Sequence, residues 1–142
     1  MKPLFPLPAA LVPPASDAAK LFDAGKYDET IAACHAQLDA LEKQFPARNL
    51  QTPQTAEAGS AIFQYYALTA LLVNALAAQA EWKAAKQALG KYRVRFPRDP
   101  WGFEAGAEAT RRDPQVQDPA AVARAIELLE GEAQRLRELT KT

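Results

Sequence analysis

The sequence predicts an all-α fold of about six helices, on three observations. Alanine supplies 31 of 142 residues while Val and Ile together number eight, a composition that favours helix over strand. Residues able to cap a helix stand directly before proline at Thr52-Pro53, Asp99-Pro100, Asp113-Pro114 and Asp118-Pro119, the punctuation of helix starts. No segment alternates apolar and polar residues for more than a few positions.

Residues 1–13 are predicted to form a proline-rich extended arm, since five prolines fall within the first 14 residues and no helical spacing survives them. A secretory signal is the alternative, because Lys2 precedes a short apolar stretch. Three prolines within residues 3–8 and a poor cleavage site at Pro14-Ala15-Ser16 weigh against it. Without a signal the chain reads as cytoplasmic, and with one as periplasmic or secreted.

Residues 14–142 are then a single helical domain. A first helix is expected over about 14–24, turned at Gly25, and a second over about 28–45, stopped by Pro46. In the second, Ile31, Cys34, Leu38, Leu41 and Phe45 follow steps of three and four, one apolar stripe. Cys34 is therefore expected in the core and His35, about 100° further round, outside it. After a polar loop at 47–52 comes a long third helix over about 53–79. From Ala61 to Ala78 its only clearly polar residues are Gln64, Thr69 and Asn74, so it is either a central helix or a membrane span. The alanine content, the two amides and the lack of basic clusters at both ends favour the central helix. Asn74 must then find a hydrogen-bond partner or line a groove.

A fourth helix is expected over about 82–96 and a fifth over about 100–112, the latter weakened by Gly102 and Gly106. A last helix covers about 119–139. Its residues Val122, Ile126, Leu129, Ala133, Leu136 and Thr140 form a seam suited to capping the domain or, alternatively, to a homodimer.

Two stretches echo each other. Gly25-Lys26-Tyr27 and Ala80-Glu81-Trp82 each follow an apolar helix and open another, with a small residue three positions after the aromatic, Thr30 and Ala85. The second helices end at Phe45-Pro46 and Phe96-Pro97. These features resemble the tetratricopeptide repeat, with Leu72, Val73, Leu76, Trp82, Ala85 and Pro97 at matching positions of one unit and Ala18, Leu21, Gly25, Tyr27 and Thr30 of the other. The resemblance implies antiparallel helix pairs stacked as a short right-handed superhelix, with units at about 14–46 and 64–97 and capping helices at about 100–140. It also implies a concave surface lined by Ala19, Phe22, Asp23, Ala67, Ala70, Asn74, Ala77 and Ala78. Such a small, apolar lining suits an apolar peptide or helix better than an acidic chain terminus.

Composition excludes much else. There are 17 Lys and Arg against 17 Asp and Glu, one His and one Cys. No global field steers a polyanion, so nucleic acid is disfavoured as a partner, and no metal or other cofactor is expected. Catalytic motifs are missing and no enzyme activity is expected. Glu104 and Glu108 read as a solvated face. The neutral total is segregated, however. Residues 17–42 hold six acids against Lys20 and Lys26, whereas Lys83, Lys86, Lys91, Arg93, Arg95 and Arg98 lie in a stretch without acids. Helix four is accordingly expected to carry a basic face, with an anionic partner as its functional reading. The expected function is a protein-interaction scaffold that binds an apolar segment of a protein partner. The alternative is a small helical chaperone or assembly subunit of a larger bacterial-type complex, dimeric through the last helix.

Overall fold

A computed structural model describes residues 15–44, 56–115 and 117–140. The expectations for the arm at 1–13, the stop at Phe45-Pro46, the loop at 47–52 and the Thr52-Pro53 cap lie outside them. Among the described residues there are six α-helices and no strand: α1 Ala15–Asp23, α2 Tyr27–Gln44, α3 Ala56–Ala78, α4 Trp82–Arg95, α5 Pro100–Arg112 and α6 Pro119–Thr140. The chain divides into two compact units, Met1–Glu81 and Trp82–Thr142, so the repeat-like unit expected at 64–97 straddles the boundary.

In the first unit α1 packs on α2 and α3, and α2 packs along α3. The last pair runs antiparallel, because Gln79 Nε2 donates to Asp28 at 2.7 Å near one end while Tyr65 Oη donates to Glu42 at 2.8 Å near the other. The stripe expected on α2 is inside at Cys34, Leu38 and Leu41, with Thr30 beside it and His35 exposed. Thr30 satisfies its hydroxyl by donating to Lys26 O at 2.8 Å.

Helix α3 is the central helix of this unit. From Ala67 to Leu76 every residue is buried, so this stretch is covered on all sides, and Leu68, Leu71, Leu72 and Val73 are at most 2% exposed. Each such side chain contributes about 1.5–3 kcal/mol of burial free energy. Its polar residues turn back onto the helix: Thr69 donates to Tyr65 O and Asn74 to Ala70 O, both at 2.8 Å. No helix among the described residues is long and apolar enough to cross a membrane.

The two echoing sequences form the same turn. After α1, the Lys26 amide donates to Leu21 O and the Gly25 amide to Phe22 O, both at 2.9 Å; after α3, Glu81 donates to Leu76 O and Ala80 to Ala77 O, again at 2.9 Å. Both are Schellman closures, which require a left-handed residue at the pivot. Gly25 takes it at φ 77° and Ala80 at φ 59°. Across the first turn Tyr27 packs on Phe22, ring centroids 5.5 Å apart.

In the second unit α5 packs against both α4 and α6. Asp99 caps α5 by accepting from the Trp101 amide at 3.0 Å, with Pro100 in the first turn, as the punctuation predicts. Asp118 caps α6 through the amides of Ala120 and Ala121. Asp113 behaves differently. It closes α5 instead of opening a helix, and its carboxylate accepts from the Gln115 amide at 2.9 Å, so the same Asp-Pro pair makes a turn here.

The glycines of α5 have a packing reason. A Cβ on Gly102 would sit 3.0 Å from both Arg93 Cγ and the Tyr92 ring, and one on Gly106 would collide with the Arg93 guanidinium. The bare backbone lets α4 lie close. Tyr92 fills the contact, edge-on to Trp101 with centroids 4.9 Å apart, and its hydroxyl bonds the Asp99 carboxylate.

Candidate functional site

Helix α4 sorts its cations by angle. Ala85, Leu89, Tyr92 and Phe96 form its buried side. Lys86 and Arg93 lie seven residues apart, hence within about 20° of each other, and both point to α5. Lys86 Nζ meets Asp113 at 2.7 Å. Arg93 donates to Gly102 O at 3.3 Å and lies over the Phe103 ring, 5.9 Å from its centroid. Burial lowers the Arg93 pKa from its ordinary value, consistent with a side chain that is partly interior. The six-residue basic face expected from the sequence is thus corrected: two of its members bind α5.

Lys83, Lys91 and Arg98 are exposed and Arg95 is half-buried. Among them stands Val94, 82% exposed, with Gln87 also exposed one turn before Lys91. Steps of four, four and three from Lys83 through Gln87 and Lys91 to Val94 put these residues on one side of the helix. The result is an outward stripe of two cations and one large apolar side chain on α4, with the exposed Arg98 three residues beyond the helix end and no carboxylate between residues 83 and 98. Sequence reasoning named the cations but missed Val94. Its signal was its phase, since it falls between the charged positions and off the buried stripe.

The expected concave lining comes out differently. Phe22 is 5% exposed, Asn74 2%, and Ala67 and Ala70 are wholly enclosed, leaving Ala77 half-buried and Asp23 exposed. Four of the eight positions expected to line the groove are therefore interior, and Ala19 and Ala78 are half-buried like Ala77. The physical reason is the all-round burial of α3, which the sequence showed without revealing which side would stay open.

The other candidates are structural. Burial pushes the Cys34 thiol up to about 12, so it stays protonated and unreactive at neutral pH. Glu104 and Glu108 stay on a solvated side, as expected, where both are engaged with arginines. Glu104 pairs with Arg137 of α6, and Glu108 accepts from Arg111 and Arg112 at 2.7 Å each. Arg111 also reaches Glu130 at 2.8 Å, so α5 and α6 run antiparallel with ion pairs at both ends. The Arg112 hydrogen bond, partly opposed by burial and helped by Arg111, holds the Glu108 carboxyl below its usual range. On α6 the expected seam is partly used internally: Ala133 and Leu136 are buried, and Leu129 approaches Gly106. Leu128 and Leu139, outside that seam, are 75% and 59% exposed. No group of three or more His, Cys, Asp or Glu able to hold a metal ion occurs among the described residues. Comparison with protein-family models, with curated proteins and with solved structures gave no match.

Proposed function

We propose that this chain is a protein-interaction module that binds without chemistry of its own, and that it engages its partner through the outward stripe of α4. One observation carries the reading: Val94 is 82% exposed within a carboxylate-free stretch that also exposes Lys83, Lys91 and Arg98. A large apolar side chain held in water gains by burial against a partner, while surrounding cations select and steer an acidic one. The ligand that fits is an acidic segment, helical or extended, with an apolar residue among its carboxylates. The matched turns at 21–26 and 76–81 and the resemblance to tetratricopeptide repeats support an interaction role in general terms.

An apolar segment seated on Phe22, Ala67, Ala70 and Asn74 would have to displace whatever encloses them, whereas the α4 stripe is ready to bind. The test is quantitative capture of partners by wild type and by the double variant Lys91→Glu/Arg98→Glu, with photocrosslinking from position 94 to identify the bound segment. Loss of capture by at least ~10-fold, about 1.4 kcal/mol, and crosslinks to an acid-rich segment are expected. Equal capture by both proteins, provided their circular dichroism matches, would refute the proposal.

A further inference from the structure

The outer side of α6 carries a second pattern, independent of α4. Leu128, Glu132, Arg135 and Leu139 follow steps of four, three and four, which places them on one stripe spanning about 60° of the helix. That stripe lies nearly half a turn from the side that faces α5 through Ala133, Arg137 and Glu130. Leu128 and Leu139 are its exposed ends, about 16 Å apart by helical rise. Glu132 and Arg135 form its centre and bond each other across one turn.

The order Leu, Glu, Arg, Leu has a symmetry that matters for recognition. Read in reverse it becomes Leu, Arg, Glu, Leu. A two-fold axis between residues 133 and 134 therefore sets Leu128 against Leu139 of a second copy, and Glu132 against Arg135 of that copy, twice over. Parallel pairing in register would instead oppose Glu132 to itself and Arg135 to itself. From this complementarity we infer that the α6 stripe is a self-recognition surface, on which a second copy of the chain docks with its own α6 antiparallel. Two leucines and one reciprocal ion pair per copy make a patch smaller than the ~1,200 Å² of stable interfaces, so the association is weak and concentration-dependent. It does not use the Val122 to Thr140 seam that the sequence offered for a homodimer.

Charge reversal tests it with the full-length chain. Sedimentation equilibrium between about 10 μM and about 1 mM is expected to show reversible dimerisation of wild type. Glu132→Arg and Arg135→Glu should each weaken it at least ~5-fold. An equimolar mixture of the two variants should restore it, because each Arg then meets a Glu in the other chain. Rescue in a mixture cannot come from the pair within one helix, which both variants lack. A second readout is independent of charge: Leu128→Cys mixed with Leu139→Cys should form a mixed disulfide under mild oxidation, whereas neither alone should. A wild type that stays monomeric to the highest concentration, failure of the mixture to recover, or ready disulfide formation by either cysteine variant alone would overturn the inference.

Discussion

Ala80 is the described non-glycine residue that holds a positive φ, 59°, at the same Schellman position where Gly25 sits at 77°. An L-residue there costs about 1–2 kcal/mol, partly offset by the greater freedom glycine has in the unfolded chain. Ala80→Gly is therefore expected to stabilise the protein by about 0.5–1 kcal/mol, and Gly25→Ala to destabilise it by about 1 kcal/mol, both by urea denaturation. The left-handed residue at position 80 was legible only by comparison, since no glycine marks it and the echo of Gly25-Lys26-Tyr27 in Ala80-Glu81-Trp82 does. The glycines of α5 and α6 separate in the same way. Gly102→Ala gains about 1 kcal/mol of helix propensity but forces a methyl to 3.0 Å from the buried Tyr92 ring and from Arg93 Cγ, and should lose about 1 kcal/mol net. Gly131→Ala meets nothing within 4 Å and should gain up to about 1 kcal/mol. Opposite shifts in thermal midpoint check the pair. From sequence, Gly102 reads only as a weakness of α5, because helix propensity is local and the Tyr92 contact is not.

At the scale of elements, helix ends within the described residues were legible to about one residue, the start of α3 lying outside that comparison, since proline and capping residues act within a few bonds. The faces were legible where one stripe dominated, as on α2 with Cys34, Leu38 and Leu41. They were not on α4, where Lys86 and Arg93 differ from Lys83 and Lys91 only in which side meets α5, a tertiary fact. The Lys86–Asp113 pair follows from that side. The Lys86 hydrogen bond, reinforced by the Gln115 amide, holds the Asp113 carboxyl below its ordinary value of 3.8. A carboxylate whose folded pKa lies below its unfolded one stabilises above the unfolded pKa, and loses that stabilisation as pH falls through the folded value. Asp113→Asn should accordingly lower stability at pH 7, by no more than about 1 kcal/mol given the exposure of Lys86, and match wild type near pH 2. Thermal melts of both proteins at the two pH values measure this; an equal deficit at both would assign the loss to the turn at Asp113 instead.

At the scale of the molecule, charge divides along the chain. Residues 82–142 hold 12 of the 17 Lys and Arg but nine of the 17 Asp and Glu, leaving residues 1–81 acidic in balance. That asymmetry was open to sequence reading, as were the interior character of α3 and the basic character of α4. The proposed binding surface was less so, because an apolar lining on α3 and an apolar core on α3 look identical until neighbours are placed. With Ala67, Ala70 and Asn74 interior and Val94 in water, the α4 stripe is the surface we propose for recognition.

The most direct measurement is a nitrogen-proton NMR titration of the full-length chain with a synthetic amphipathic peptide of alternating Glu and Leu. Binding through α4 predicts saturable shifts of the Lys83, Lys91, Val94 and Arg98 amides, weakening several-fold as salt shortens the Debye length from about 10 Å to about 3 Å. Shifts confined to Ala67, Ala70 and Asn74, or binding indifferent to salt, would contradict it.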